Sequence, residues 1–172
     1  MKLVVLDYSK SMANKILPIT DIKEAIKKIH EDGRQIVLAG GCFDILHIGH
    51  IRFLEAAKQQ GDVLIVLLES DQTITSHKGP KRPVNTQEDR AVLLGALSVV
   101  DYVIPLKQSL SNEDYDALVF AIKPAIIATT AGDASRSHKE RQAKKVGANV
   151  IDVVKQISDQ STSRIVEILD EL

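Results

Sequence analysis

Short unbroken apolar runs recur along the chain, and the stretches between them carry apolar residues three and four positions apart. The first run, Gln35-Ile36-Val37-Leu38-Ala39, closes on Gly40-Gly41, and the pattern returns at Asp62–Leu68, Tyr102–Pro105, Ala125–Thr129 and Asn149–Val154. Runs that do not alternate apolar with polar are how parallel strands covered on both faces read. Helical spacing covers roughly 49–60, 86–98, 112–122, 134–146 and 161–171. Strands alternating with helices predict βαβ units, hence an α/β fold built on a doubly wound parallel five-stranded sheet. Upstream, Thr20 reads as the N-cap of a helix whose stripe is Ile22, Ala25, Ile26 and Ile29, with Gly33 as its stop. Lys2–Leu6 could be a short edge strand and Ser9–Lys15 a polar connector. Residues 1–21 are therefore expected to form an N-terminal extension and 22–172 a single domain.

In such sheets ligands sit beyond the carboxyl ends of the strands, near the point where strand order reverses. That directs attention to loops at roughly 39–50, 69–85, 106–112, 129–136 and 155–163. The rest of the composition narrows the ligand. Lys plus Arg number 22 against 23 Asp plus Glu, so no bulk field favours nucleic acid or an anionic membrane. Any bound anion must be held by locally placed groups. The single cysteine, Cys42, excludes an internal disulfide and a thiolate-rich zinc site. No apolar run approaches the ~20 residues of a membrane-spanning helix. The opening MKLVVLDYSK lacks a signal-peptide pattern, so a cytoplasmic location is expected.

Residues 40–50, Gly-Gly-Cys-Phe-Asp-Ile-Leu-His-Ile-Gly-His, are the most informative. Gly40 and Gly41 let the backbone turn tightly beside a ligand. The following helix is expected to begin near His47 or His50, and its free N–H groups make an anion site. His47 and His50, three apart, share one face of its first turn, with Gly49 leaving room between them. Two imidazoles and several backbone N–H groups then converge where charge on a phosphoryl group would grow. Phe43 should pack under the turn with its backbone N–H toward phosphate, and Asp44 should cap the helix or order His47. A lone buried histidine is more often structural. A metal site from His47, His50, Cys42 and Asp44 is the other alternative, without an HExxH pattern to support it. Downstream, Lys78, Lys81 and Arg82 lie in a Gly/Pro-containing stretch that could fold over a triphosphate or could be a solvated turn.

Gly-Cys-Phe-Asp-Ile-Leu-His-Ile-Gly-His resembles the signature of the cytidylyltransferase-like nucleotidyltransferases, whose HxGH motif binds NTP phosphates. The likeness continues through Gly61-Asp62, Lys78-Gly79, Arg82-Pro83-Val84-Asn85, Glu88-Asp89-Arg90 and Val100-Asp101-Tyr102-Val103. It is greatest toward heptose 1-phosphate adenylyltransferases and extends to glycerol-3-phosphate cytidylyltransferases. The resemblance implies a Rossmann-like nucleotidyltransferase domain over 22–172. It implies an enzyme that joins an NTP, ATP by preference, to a phosphorylated metabolite such as heptose 1-phosphate and releases pyrophosphate. It assigns His47, His50 and Lys78 to catalysis. Gly41, Cys42, Phe43, Asp44, Gly49, Arg82, Arg90, Gly132, Asp133, Ser161, Thr162 and Ser163 go to nucleotide binding, and Mg²⁺ is expected to bridge the triphosphate. Partners are an NTP and a phosphorylated small molecule, without nucleic acid or membrane, and a homodimer is one expectation. The alternatives are a cytidylyltransferase for glycerol 3-phosphate or another phospho-alcohol, and a nucleotide-binding module without chemistry. The heptose enzymes carry Lys-Gly-Gly-Asp-Tyr where this chain has Thr130-Ala131-Gly132-Asp133-Ala134. The missing charge is expected from Lys107 or Arg136, or the acceptor is a different one; Arg136, Lys139 and Arg141 could contact an acceptor phosphate, with a solvated helix face as the favoured reading.

Overall fold

The computed structural model describes residues 14–107 and 110–155. In chain order the elements are α1 (Ile19–Glu31), β1 (Ile36–Gly41), α2 (Ile48–Lys58), β2 (Val63–Leu68), α3 (Asp71–Lys78) and α4 (Gln87–Gly95). They are followed by β3 (Tyr102–Pro105), α5 (Asn112–Ile122), β4 (Ile126–Thr130), α6 (Arg136–Val146) and β5 (Asn149–Val154). The five strands form one sheet in the order β3-β2-β1-β4-β5, and every pairing is parallel.

The unbroken apolar runs have a simple cause: alternate residues of each strand serve two cores. Ile36, Leu38, Ile65, Leu67 and Ile127 pack with α1, α5 and α6. Val37, Ala39, Leu64, Val66, Leu68 and Ala128 pack with α2 and α4. Every residue of β2 is buried. Such a sheet has no face to leave polar.

Strand order reverses between β1 and β4, and their ladder is short. It pairs Val37 with Ile126 and Leu38 with Ile127, whereas β1 and β2 stay in register from Ile36↔Val63 to Gly41↔Leu68. Beyond Leu38 the two strands part, which opens a cleft at the carboxyl end of the sheet. At the opposite end, motif residues serve the scaffold. Asp62 accepts from the Gln35 N–H (2.8 Å), and Asp101 accepts from the Leu64 N–H (2.7 Å) and from Lys58 (2.5 Å). A Cβ on Gly61 would lie 2.8 Å from Val37 Cγ2, so strand and turn approach too closely for a side chain.

Three details differ from the sequence expectations. Pro18, not Thr20, caps α1 without a side-chain bond, and the Thr20 hydroxyl donates to Asp21 instead. Proline suits a helix start because its missing N–H would have no partner there. Residues 15–17 belong to the sheet's β3 edge: Leu17 N donates to Val103 O, and Val103 N to Lys15 O. The described part of the extension is thus docked on the domain. Lastly, the 69–85 loop contains α3, a short polar helix capped by Ser70 and burying only Ile74. One apolar anchor makes no periodic stripe, so the pattern of the sequence could not reveal it. The expected edge strand at Lys2–Leu6 and the helix at 161–171 lie outside the described residues.

Candidate active site at the carboxyl end of the sheet

The turn leaving β1 is held from below by three buried polar anchors. Phe43 adopts φ 45 and is nearly buried, a conformation that costs a bulky residue of order 1–3 kcal/mol. Asp44, 1% exposed, accepts from the backbone N–H groups of Val84 (2.7 Å) and Asn85 (3.1 Å) and from Arg82 Nε (2.6 Å). Arg82 Nη2 lies 2.5 Å from the same carboxylate oxygen but directs no hydrogen bond at it. Arg90 is fully buried under the turn. It donates to the Cys42, Asn85 and Glu69 carbonyls and to Asp71 (2.5, 3.1, 2.8 and 2.7 Å). One guanidinium therefore ties together the ends of β1 and β2 and the starts of α3 and α4. Asp44 and Arg82 do the same for the segment before α4. A Cβ on Gly41 would meet the Phe43 ring at 3.0 Å, so the glycine leaves room for that ring.

Above these anchors α2 begins at Ile48, with His47 as its N-cap. His47 Nδ1 accepts from the Gly49 N–H (3.1 Å). A ring nitrogen that accepts carries no proton, so neutral His47 is protonated at Nε2 and keeps a donor there. The His50 ring stacks on His47 with centroids 3.8 Å apart and touches Phe43 at 5.1 Å. Burial, then the neighbouring His47, then Lys78 push the His50 pKa down to about 4, and burial alone lowers that of His47. The Ile45 carbonyl favours the charged ring of His50, yet Nδ1 has no hydrogen bond of good geometry. Both imidazoles are thus neutral near pH 7. Lys78 ends α3, where Gly79 (φ 92) stops the helix, and its charge acts on both His50 and Cys42. Burial, opposed by Lys78, raises the Cys42 thiol, which does not suit it to nucleophilic work.

Past Gly41 and Cys42 the cleft deepens into a cavity of about 640 Å³ between α3, α5 and α6. Glu69, at the end of β2, stands on one wall and accepts from the Tyr115 hydroxyl at 2.8 Å to each oxygen. Burial raises the Glu69 carboxyl, and burial together with Glu69 pushes Tyr115 far above the usual phenol range. On the other wall Asp133 accepts from Thr129 (2.6 Å) and Lys139 (2.5 Å). Hydrogen bonds from Lys139 and Thr129 outweigh burial and hold the Asp133 carboxyl below its ordinary range.

The cytidylyltransferase-like family model matches residues 38–168, most of the chain and all of this cleft. The chain belongs to the cytidylyltransferase-like family. It is a nucleotidyltransferase by that membership. Curated relatives include the bifunctional protein HldE of Nitratiruptor sp., 39% identical over 150 residues, covering 86% of this chain and 30% of the relative. The HldE of Campylobacter jejuni is 36% identical over 165 residues, covering 94% and 32%. The chain thus spans about a third of the length of these relatives. Among solved structures, a lipopolysaccharide core biosynthesis protein from Thermoplasma volcanium superposes with a TM-score of 0.58 at 30% identity, over 74% of this chain and 99% of that one. A pantoate-beta-alanine ligase from Francisella tularensis, at 15% identity and TM-score 0.61 over 91% of this chain and 77% of that one, shares the fold.

The family residues gather unevenly. Gly41, Cys42, Phe43, His47, Gly49, His50 and Lys78 surround the turn. Gly132 and Asp133 lie across the cleft after β4. Asp44, Arg82 and Arg90 sit beneath the turn, Arg82 and Asp44 joined through Nε and Arg90 bonded to backbone carbonyls and Asp71, with Arg82 Nη2 left without a hydrogen bond. Ser161, Thr162 and Ser163 lie outside the described residues. Asp44 does not cap α2, whose N-cap is His47, and its hydrogen bonds go instead to Arg82, Val84 and Asn85. Lys139 is no solvated residue but reaches the 129–133 loop, while Arg136 pairs with Glu140 and Asp152. Sequence reasoning missed Glu69 and Tyr115. Their pairing spans separate elements, and the only signal for Glu69 was an acidic residue directly after a buried strand.

Proposed function

We propose that this chain transfers a nucleotidyl group from an NTP, ATP by preference, to the phosphate of a sugar phosphate, with heptose 1-phosphate as the leading acceptor. The observation that carries the reading is the stacked His47–His50 pair at the start of α2, set beside Lys78 and the mouth of the cavity. An acceptor phosphate oxygen attacks the α-phosphorus. The bond from α-phosphorus to the bridging oxygen breaks, and pyrophosphate leaves with that oxygen. The attacking oxygen is already ionised, so no general base is required. His47 Nε2–H, His50, Lys78 and the free N–H groups of α2 stabilise the charge that shifts onto the phosphoryl oxygens. The likeness of Lys78-Gly79, Arg82–Asn85 and Glu88–Arg90 to heptose 1-phosphate adenylyltransferases supports ATP and the sugar phosphate. Among the described residues no three acidic, imidazole or thiol groups converge as a metal cage, and Asp44 is committed to Arg82. Mg²⁺ belongs to the proposal as a companion of the triphosphate, held mainly by phosphate oxygens and water.

The test is a matrix of ATP and CTP against heptose 1-phosphate, glycerol 3-phosphate, phosphocholine-type acceptors and FMN, scored by pyrophosphate release. ATP with a sugar phosphate should be fastest. If CTP with a phospho-alcohol outruns it, the chain is a cytidylyltransferase for that acceptor. Saturable NTP binding with no pyrophosphate from any pair would make it a binding module.

A further inference from the structure

The cavity's chemistry goes beyond the phosphate machinery. One end is formed by Gly40, Gly41 and Cys42, the start of the turn that leads to His47 and His50. Its volume of about 640 Å³ suits a metabolite rather than a single water. A metabolite whose phosphate reaches that turn would set its body against the remaining wall.

We propose that Glu69 and Tyr115 are the specificity-determining pair for the acceptor, and that they select a polyhydroxylated body by binding its hydroxyl groups. This rests on the nucleotidyltransferase reading above. The Tyr115 hydroxyl is 2.8 Å from both Glu69 oxygens but has one hydrogen to give. Each carboxylate oxygen keeps accepting capacity, enough for two neighbouring hydroxyls of a ligand. Among the described residues no lysine or arginine forms an ion pair with Glu69, while Asp133 on the facing wall is already matched by Lys139. Thr73, Asn112, Ser135 and Gln142 add groups that both donate and accept. Hydroxyls also do both, whereas an ammonium group only donates. A quaternary ammonium would need aromatic faces, and Tyr115 supplies the one phenol or phenyl ring lining the cavity. Partial burial of Glu69, seen in its raised pKa, adds weight to each bond that its carboxylate accepts. Glu69 and Tyr115 line the cavity, whereas His47, His50 and Lys78 do not.

The experiment compares wild type, Glu69→Gln and Tyr115→Phe in steady-state pyrophosphate release with ATP or CTP, varying a sugar 1-phosphate, glycerol 3-phosphate or phosphoethanolamine. NTP affinity is measured separately by calorimetry without acceptor, and folding by thermal melting. Glu69→Gln should raise the KM for the polyol phosphate by ~10-fold or more, the size expected for losing a charge-assisted hydrogen bond. NTP affinity and saturating kcat should stay within about threefold, a split that a merely structural role would not produce. Tyr115→Phe should give a smaller rise in the same constant. The double variant should be no worse than Glu69→Gln, because the two side chains act as one unit. An unchanged acceptor KM in folded Glu69→Gln overturns the inference and leaves the enzyme reading intact. So does a wild-type preference for phosphoethanolamine that Glu69→Gln abolishes. Absence of both NTP binding and pyrophosphate release with every pair defeats the enzyme reading itself, a distinct result. Should Glu69→Gln fail to fold, the Tyr115→Phe constants decide, and an unchanged acceptor KM there overturns the pairing.

Discussion

The histidine turn and the cavity lined by Glu69 and Lys139 are built in different ways. Under the histidines, Arg90 is fully buried and Asp44 almost so, and each bonds to backbone as well as to a side chain. That network fixes a turn strained at Phe43 (φ 45) and leaves the two imidazoles stacked in place. In the cavity the pairs Glu69 with Tyr115 on one wall and Asp133 with Lys139 on the other join side chain to side chain, with the Ser135 N–H as a backbone donor to Asp133, and the latter pair is about one-fifth exposed. A turn over-determined by buried bonds suits a triphosphate common to all turnovers. Walls built from paired side chains suit the hydroxyls of an acceptor.

Substitutions should separate the two regions, and the largest effect belongs to the histidines. His50→Ala should cut turnover by ~10²–10³ with the fold intact, as loss of one preorganised donor does elsewhere. Wild-type turnover in the folded variant would remove His50 from the chemistry. Next comes the framework: Asp44→Ala leaves the Arg82 charge buried and unpaired and should cost about 3 kcal/mol or more. That lowers Tm by roughly 6–12 °C. Lys139→Met should barely move Tm, since partly exposed ion pairs contribute little. It should instead raise the acceptor KM by about 10-fold. If Asp44→Ala melts like wild type, or Lys139→Met unfolds the chain, the contrast between the regions is lost.

A pH experiment probes the buried histidine. The His50 pKa is about 4 in the folded chain, below its ordinary 6.5. As pH falls below 6.5 the unfolded chain takes up a proton that the folded chain refuses. The stability tied to neutral His50 is therefore complete above 6.5 and is lost progressively toward 4. The loss, discounted for residual exposure, is about 1–3 kcal/mol. Urea unfolding at pH 7 and 4.5 should show wild type losing that much more than His50→Asn. Identical pH dependence would mean that the ring is not desolvated.

The smallest effect concerns the segment after α3. Asn85 and Val84 are already tied to Asp44, so nucleotide-induced protection from hydrogen exchange should concentrate at residues 78–81 rather than 82–85. Equal new protection across both stretches would show that the Asp44 anchor is not formed without nucleotide.

The sheet was legible because buried parallel strands are continuous apolar runs, and β3 and β5 fall at their expected bounds. The turn at 40–50 was legible because its residues are adjacent in sequence. What the sequence hid depends on distant pairings. The resemblance assigns Arg82 and Arg90 to nucleotide binding, and the partners that bury them come from positions 38 and 48 residues earlier, beyond any local pattern. Lys139 on a polar helix read as solvated because nothing local shows that its chain folds back to Asp133. Helix α3 escaped because a short polar helix with one buried isoleucine has no period to detect.

The central claim is direct nucleotidyl transfer at the histidine turn, and ³¹P NMR of the chain with ATP, Mg²⁺ and a sugar 1-phosphate tests it most directly. Pyrophosphate and a nucleoside diphosphate sugar should appear in equal amounts and in step, and His50→Ala should slow both alike. Pyrophosphate without the diphosphate-linked product, or the linked product formed unchanged by His50→Ala, would contradict it.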